Sequence, residues 1–243
     1  MPDQRRGAGR RGAACGLLTA AVALTGCFSP RRGIQVAPVD SGPPITYVAV
    51  GASESVGLGA ANPVRDAWPQ VFYRSALPAR ATFVDLAISG DTVSDALGDQ
   101  LPDAEALHPN LVTVWLNVND LVAGISPAEY GRQLAQLLAG LQAAGATRVL
   151  VANVPPVDRL PGLPTAAAGS VVSQLVDQYN AVIAQTVAAA RGVLVDLHRI
   201  GLAAEADGTF ASLVSADGFH PSTAGHAAVA AAFAHALTVA GGP

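Results

Sequence analysis

The sequence predicts an α/β protein, a three-layer α/β/α sandwich built on a five-stranded parallel sheet. Five short runs are almost continuous in Val, Leu and Ile, as is typical of strands that are covered on both faces. Segments with apolar residues at helical spacing separate these runs, and this alternation favours the three-layer arrangement. Of the 243 residues, 51% are hydrophobic and 13% are charged, which fits one compact domain and argues against a disordered or coiled-coil chain.

The predicted strands have few polar interruptions, so each is expected to bury both of its faces. They cover residues 45–50, 81–88, 111–116, 148–152 and 193–197.

Three segments are predicted to be helices. Apolar residues at helical spacing run from Tyr130 to Leu141, and the preceding Ser126, Pro127 and Glu129 predict an N-cap, a first helical residue and a capping box. A second periodic stretch runs through residues 172–187, and the Ala-rich residues 222–237 predict a final helix packed closely on the sheet. Residues 154–169, with four prolines, are expected to be irregular and to form part of a pocket wall.

The N-terminus has the order of an export signal. Four arginines between residues 5 and 11 precede an apolar stretch, residues 13–24, that is too short for a permanent membrane helix. Leu24-Thr25-Gly26-Cys27 then resembles the lipobox of bacterial lipoproteins. The resemblance implies that residues 1–26 are a lipoprotein signal peptide, that Cys27 is lipidated, and that the domain is extracytoplasmic and anchored to the bacterial cell membrane. An ordinary secretory signal with an unrelated cysteine is the alternative.

Residues 27–44 are expected to comprise the lipidated cysteine and a Pro-rich tether, and residues 45–240 the folded domain. Four of the 14 basic residues but only one of the 18 acidic residues precede Cys27, so cleavage would leave an acidic chain. This charge argues against nucleic acid as a partner, and we expect a monomer. All the basic residues are arginine, which excludes lysine chemistry.

Polar residues follow four of the five predicted strands, at the edge where open parallel sheets bind ligands. The first strand is followed by Ser53, the second by Gly90, the third by Asn119 and the last, further on, by Asp217 and His220. A hydroxyl nucleophile, an imidazole, a carboxylate that orients it and donors for an oxyanion are the parts that a serine hydrolase needs.

These blocks, in this order, resemble the SGNH hydrolase superfamily, also called GDSL-type esterases and lipases, over about residues 45–237. The resemblance implies a flavodoxin-like fold and cleavage of carboxylic esters through an acyl-enzyme on Ser53. His220 would be the general base, Asp217 would orient it, and Gly90 and Asn119 would form the oxyanion hole with the Ser53 N–H. It implies no metal or cofactor, and a small-molecule, lipid or glycan ester as substrate, with hydrolysis and acyl transfer both open.

The sequence departs from the usual family pattern at two positions. Ala52 stands where the family usually has Asp, which puts the rigidity of that loop in question. Asn117 stands where Gly is usual, and Asn is expected to tolerate the left-handed backbone of such a turn. Glu54, if it points outward, would add negative charge beside the nucleophile and disfavour anionic substrates.

A non-catalytic glycan- or lipid-binding lipoprotein on the same fold is the alternative function, motivated by these two departures. Retention of Ser53, Asn119, Asp217 and His220 argues against it, because a binding protein has no chemical need of all four. Asp120 is expected to be structural, and Trp68 and Trp115 are expected to lie in the core. The histidines that lack paired ligand spacing are expected to be surface or packing residues, namely His108, His198, His226 and His235.

Overall fold

A five-stranded parallel sheet forms the centre of the computed structural model, which describes residues 42–162 and 169–242. The strands are β1 (Thr46–Gly51), β2 (Thr82–Asp85), β3 (Leu111–Trp115), β4 (Arg148–Ala152) and β5 (Val193–Val195). Their order in the sheet is β2-β1-β3-β4-β5, and every neighbouring pair is parallel. The predicted fold class and all five predicted strands are therefore confirmed.

Three strands are shorter than predicted, β3 by one residue and β2 and β5 by more. Beyond the end of β2, the N–H groups of Leu86 and Ile88 still donate to Ala49 and Gly51 of β1, so this segment follows the sheet edge after the strand has ended. β5 ends at Val195 because Asp196 caps the helix that starts at Leu197, its side chain accepting from the N–H of Arg199.

Helices cover both faces of the sheet. In chain order they are α1 (Ser53–Val56), α2 (Pro63–Asp66), α3 (Trp68–Ala76), α4 (Val93–Asp99), α5 (Leu101–Leu107), α6 (Val118–Val122), α7 (Pro127–Ala143), α8 (Gly169–Ala189), α9 (Leu197–Ala206), α10 (Phe210–Leu213) and α11 (Thr223–Val239).

The core is divided by the sheet into two apolar clusters, as the strand period of two requires. Along β3, Val112 and Val114 join the cluster beneath α4, α5, α7 and α8, whereas Leu111 and Trp115 join the cluster beneath α3, α9 and α11. Because both faces of β1, β3 and β4 are buried, these strands carry the continuous apolar runs from which they were predicted.

The three predicted helices are present as α7, α8 and α11, and their N-terminal signals act largely as expected. Ser126 accepts a hydrogen bond from the N–H of Glu129 at 3.2 Å, and α7 begins at Pro127. The predicted capping box is wrong, because the Glu129 carboxylate pairs with Arg132 and Gln133 on its own helix. A complete capping box joins Thr92 and Asp95 at the start of α4.

The Pro-rich segment after β4 is irregular, apart from a single 3-10 turn over Val157–Arg159. Residues 163–168 of this segment lie outside the described residues, as do the predicted signal peptide, residues 1–26, and most of the predicted tether. In the described part of the chain, no helix combines the length and the apolar character needed to cross a membrane.

Candidate active site

The predicted nucleophile, Ser53, lies at the carboxyl end of β1, which pairs with β2 and β3 in the sheet. It is the first residue of α1, and its Oγ is 2.9 Å from Nε2 of His220. The turn before it requires Gly51, because a Cβ there would lie 2.1 Å from Oγ of Ser55. Gly57, with φ of +100°, ends α1 in the left-handed region, which a glycine adopts without strain.

His220 and Asp217 lie in one loop between α10 and α11. Nδ1 of His220 is 2.7 Å from Oδ2 of Asp217. The other carboxylate oxygen of Asp217 accepts from Ser215 Oγ at 2.6 Å and from the N–H groups of Phe219 and His220 at 2.8 and 3.0 Å. Burial acts to raise the pKa of Asp217, but these hydrogen bonds outweigh it and hold the pKa well below its usual range. The carboxylate is therefore ionised at neutral pH.

This arrangement fixes the tautomer of His220. Because the Asp217 carboxylate can only accept, Nδ1 of the neutral imidazole carries the proton and Nε2 is left as an acceptor. Nε2 faces Ser53 Oγ, so the imidazole is oriented to take the proton of that hydroxyl.

Gly90 lies in a turn after β2, and a backbone hydrogen bond joins the start of this turn to the end of β1. The N–H of Ile88 donates to the carbonyl of Gly51 at 3.2 Å, and the N–H of Asp91 closes the turn on Ile88. Gly90 has φ of +94°, which explains why the position carries glycine. Among the described residues, no acceptor takes the backbone N–H of Gly90 or of Ser53.

Asn119 lies in the first turn of α6, at the carboxyl end of β3. Its Nδ2 donates one hydrogen bond, at 2.9 Å, to the carbonyl of Asp91. An amide nitrogen carries two protons, so this bond orients the group and leaves a second N–H to donate. The structure therefore brings Asn119 to the turn that contains Gly90.

Gln100, which sequence reasoning missed, joins two of these blocks. Its Nε2 donates to the carbonyl of Gly51 at 2.9 Å and to the carboxylate of Asp91 at 2.8 Å, and its Oε1 accepts from the N–H of Gly51 at 3.0 Å. The side chain is 1% exposed. Its spacing could have indicated this role, because at helical period Gln100 lies on the same apolar face of the α4–α5 segment as Val93, Ala96 and Ala104.

The two departures from the family pattern have different consequences. Ala52 is buried in the core, and the N–H groups of Ser55 and Val56 bond its carbonyl, so α1 starts without a side-chain cap. Asn117 has φ of −167°, which is extended backbone, so the expected left-handed turn is wrong. Its side chain instead donates to the carbonyl of Ala152 at 3.1 Å, which ties the ends of β3 and β4 together.

Asp120 has a structural position, as expected. Both of its carboxylate oxygens accept from the N–H of Val93, at 3.1 and 3.2 Å, and this contact joins α6 to the start of α4. Burial raises the pKa of Asp120 to about 6.

Trp68, Trp115 and His226 are buried, which agrees with their expected packing roles. Nδ1 of His226 accepts from the N–H of Trp68 at 3.3 Å, and its Nε2 donates to the carbonyl of Leu58 at 3.0 Å. Burial lowers the pKa of His226, which favours the neutral ring.

A cavity of about 110 Å³ lies beside these blocks, lined by Asn119 and His220 and otherwise almost entirely by apolar side chains. Its walls include Pro155, Val157, Leu160, Ile200, Phe210 and Val229. The Pro-rich segment after β4 therefore forms part of the wall, as predicted.

Glu54 does not point outward. It is only 8% exposed, it lines the cavity, and its Oε2 lies 3.3 Å from Ser53 Oγ. Burial raises the pKa of Glu54 to about 7, although hydrogen bonds from its own N–H and from Ser53 oppose that shift.

The fold and the hydrogen-bonded Ser, His and Asp side chains define a serine hydrolase of the α/β/α class. Residues 49–228 match the GDSL-like lipase/acylhydrolase family, well over half of the chain. The chain belongs to this family, which is also known as the SGNH hydrolases, and it is a hydrolase.

Solved structures share the fold over most of the chain. TesA, known from a crystal structure, has 25% sequence identity to this chain. The match covers 80% of this chain and 98% of the TesA chain, with a TM-score of 0.64. The lipase/acylhydrolase from Enterococcus faecalis is 20% identical, with coverages of 81% and 96% and a TM-score of 0.65. The acetylxylan esterase Axe2 from Geobacillus stearothermophilus is 20% identical, with coverages of 79% and 94% and a TM-score of 0.63. Among curated protein sequences, none matches the chain.

Proposed function

We propose that the protein is a serine esterase that hydrolyses carboxylic ester bonds through an acyl-enzyme on Ser53. The observation that carries this proposal is the unbroken run of hydrogen bonds from Ser53 through His220 to Asp217. Membership of the GDSL-like lipase/acylhydrolase family supports it.

The reaction proceeds in two halves. Ser53 Oγ attacks the ester carbonyl as its proton passes to Nε2 of His220, and Asp217 stabilises the imidazolium that forms. The carbonyl oxygen becomes an oxyanion, which accepts from the N–H groups of Ser53 and Gly90 and from Asn119 Nδ2. His220 then returns the proton to the leaving alcohol. Water, activated by the same imidazole, attacks the acyl-enzyme, releases the acid and restores Ser53.

The cavity supports a small or medium apolar acyl group as the main recognition element. Its wall of Pro, Val, Leu, Ile and Phe side chains offers apolar contact but few hydrogen bonds. Axe2 is named as an acetylxylan esterase and the Enterococcus faecalis protein as a lipase/acylhydrolase, which is consistent with ester substrates of different sizes within this fold.

The proposal predicts that Ser53→Ala lowers kcat by at least about 10³-fold, because no other group can form the acyl-enzyme. The measurement uses the purified full-length chain in detergent, with p-nitrophenyl esters from acetyl to palmitoyl and with fluorophosphonate labelling. Ser75→Ala is the matched control, since Ser75 is exposed on α3 and its hydroxyl bonds only the carbonyl of Val71. Unchanged turnover in folded Ser53→Ala would show that Ser53 is not the nucleophile. A parent protein that neither turns over esters nor labels would favour the binding-lipoprotein alternative.

We also propose that Cys27 is lipidated and anchors the domain outside the cytoplasm, on the strength of the lipobox-like Leu24-Thr25-Gly26-Cys27. Cys27→Ser is then expected to abolish incorporation of radiolabelled palmitate and to release the protein from the membrane fraction of a bacterial host. Cys15→Ser, within the apolar signal segment, is the control and should keep both properties. Palmitate incorporation that survives Cys27→Ser would refute the anchor site.

A further inference from the structure

Glu54 places a carboxyl group beside the atom at which the proposed reaction takes place. Its Oε2 lies 3.3 Å from Ser53 Oγ, and the same Oγ is 2.9 Å from Nε2 of His220. The side chain is 8% exposed, and it lines the same cavity as His220 and Asn119. Any group that is bonded to Ser53 Oγ during the reaction therefore lies next to this carboxyl group.

Glu54 has no basic partner among the described residues, where no arginine or histidine forms an ion pair with it. Within that part of the chain, the other titratable side chain on the cavity wall is His220, and its partner Asp217 is itself an acid. The rest of the wall is almost entirely apolar and screens charge weakly. An ionised Glu54 therefore acts strongly on any charge that arises at Ser53.

The charge at Ser53 changes during hydrolysis of a neutral ester. In both tetrahedral intermediates the oxyanion is accompanied by the imidazolium of His220, so the two charges cancel, and the acyl-enzyme is neutral. Water then adds to the acyl carbon and gives one proton to His220, which delivers it to Ser53 Oγ as the bond from this oxygen to the acyl carbon breaks. The carboxylic acid that is formed keeps the other proton and loses it to solvent at neutral pH. The bound product is thus the first species in the cycle that brings a net negative charge.

This product forms close to Glu54, whichever side of Ser53 holds the acyl chain. Its carboxyl carbon was bonded to Ser53 Oγ, which is 3.3 Å from Glu54 Oε2, so the carbon is released within about 5 Å of that oxygen. Burial raises the pKa of Glu54 to about 7, so above neutral pH its carboxyl group is mainly ionised. Two carboxylates at this distance repel each other, which weakens binding of the product.

We propose that the ionised carboxylate of Glu54 repels the carboxylate product from Ser53, and so promotes its release and limits product inhibition. The inference rests on the proposed esterase function. A neutral ester and the alcohol released from it carry no charge for Glu54 to repel, so the effect falls on the acid product. Glu54 thereby distinguishes the ester that enters the site from the acid that leaves it.

The test measures the inhibition constant, Ki, of butyrate against hydrolysis of p-nitrophenyl butyrate by the purified full-length protein at pH 8.5. We expect Glu54→Gln and Glu54→Leu to lower this Ki by about tenfold or more, because both remove the charge. Glu54→Leu also lacks an N–H, so it separates loss of charge from gain of a hydrogen-bond donor. Butyramide, a neutral analogue of the product, should show a change in Ki of less than about twofold. Glu105→Gln, which removes an exposed carboxylate on α5, is the control and should leave both constants unchanged.

A second measurement follows the titration of Glu54. Between pH 6 and 8.5 butyrate stays ionised while Glu54 loses its proton, so Ki of butyrate should rise more steeply with pH in the parent than in Glu54→Gln. His220 and Asp217 are present in both proteins, so the difference between the two pH profiles reports Glu54.

The outcomes separate this inference from the function on which it rests. A Ki for butyrate that is no lower in an active Glu54→Leu variant than in the active parent would overturn the role of Glu54, while leaving the esterase intact. Equal decreases in Ki for butyrate and butyramide would also overturn it, because they would reflect the shape of the cavity and not its charge. A parent that neither hydrolyses p-nitrophenyl butyrate nor labels with fluorophosphonate would overturn the esterase proposal, and the inference with it.

Discussion

At the scale of single residues, the carboxylate of Asp217 accepts three hydrogen bonds in addition to its contact with the imidazole of His220. One oxygen accepts from Ser215 Oγ and from the N–H groups of Phe219 and His220, and the other faces Nδ1 of His220. The three donors to the first oxygen prevent the carboxylate from rotating. The orientation of His220 toward Ser53 therefore follows from a loop of six residues, in which the N–H of Ser215 also bonds the carbonyl of His220.

This geometry predicts the effect of Asp217→Asn. The amide oxygen of the new side chain would keep the position that accepts three hydrogen bonds, and its NH₂ group would then face Nδ1 of His220. Nδ1 would become an acceptor, and Nε2 would carry a proton toward Ser53 and could not act as a base. We expect kcat to fall by about 10⁴-fold, by analogy with triads in which this change produces the wrong tautomer.

Steady-state kinetics with p-nitrophenyl butyrate would measure that loss, with thermal unfolding as a check that the fold is kept. Asp207→Asn is the control, because Asp207 is an exposed aspartate at the end of α9. Loss of less than tenfold in Asp217→Asn would show that another group orients His220.

At the scale of elements, the site depends on how separate loops are joined at the edge of the sheet. Gln100, at the junction of α4 and α5, bonds both backbone groups of Gly51 and the side chain of Asp91. Gly51 precedes the Ser53 turn and Asp91 follows Gly90, so one side chain links the nucleophile block to the block expected to bind the oxyanion.

Gln100→Ala is therefore expected to affect both stability and activity. It leaves the buried N–H and carbonyl of Gly51 without these partners, which should lower the free energy of unfolding by about 2 kcal/mol or more. Loosening of the two turns should lower kcat/KM by about tenfold to a hundredfold. Urea unfolding and the rate of fluorophosphonate labelling measure the two effects, with Gln174→Ala on the exposed face of α8 as control. A variant as stable and as rapidly labelled as the parent would contradict the linking role.

Strands and helices were predictable from the sequence where a local pattern of residues is compatible with only one type of secondary structure. The strands were found because burial on both faces demands continuous apolar runs, and α7 because Ser126 and Pro127 mark its start. Gln100 was missed because its partner Gly51 is 49 residues away and no local pattern encodes that contact. The error at Glu129 has a local origin, because Arg132 and Gln133 on the same helix compete for its carboxylate. At Asn117 the backbone is extended, and its side chain bonds the carbonyl of Ala152, which is 35 residues away.

At the scale of the whole molecule, buried ionisable groups make the stability depend on pH. Burial raises the pKa of Glu54 to about 7 and those of Asp85 and Asp120 to about 6, and it also raises the pKa of Asp91. In the unfolded chain such groups titrate near about pH 4. Between about pH 4.5 and 7 the folded protein thus holds more protons than the unfolded chain, and its free energy of unfolding falls as the pH rises. His226 acts in the opposite direction, because burial lowers its pKa and the unfolded chain gains the proton first.

With these four carboxyl groups against one histidine, we expect the free energy of unfolding to be higher at pH 5 than at pH 7.5 by at least about 1 kcal/mol. Urea unfolding at both pH values measures this difference. Glu54→Gln should reduce it, because the amide does not titrate. Stability that increases from pH 5 to pH 7.5 in the parent would contradict the assignment of these buried groups.

The topology of the whole molecule also determines how much of the site could be predicted from the sequence. The carboxyl ends of parallel strands meet at one edge, so topology alone brings the blocks of Ser53, Gly90 and Asn119 together. The cavity could not be predicted in the same way, since its wall draws on α9, α10, α11 and the segment after β4. The inward position of Glu54 depends on that packing, which a linear pattern does not specify.

The distance along the chain between Ser53 and His220, 167 residues, has a consequence for when the enzyme becomes active. Ser53 leaves the ribosome early, whereas His220 is made just before α11, the last helix. On the proposed mechanism, any nascent chain or proteolytic fragment that stops short of residue 220 lacks the general base for Ser53. By the same mechanism, a nascent chain therefore becomes able to hydrolyse esters only after residue 220 has been made and has folded against Ser53.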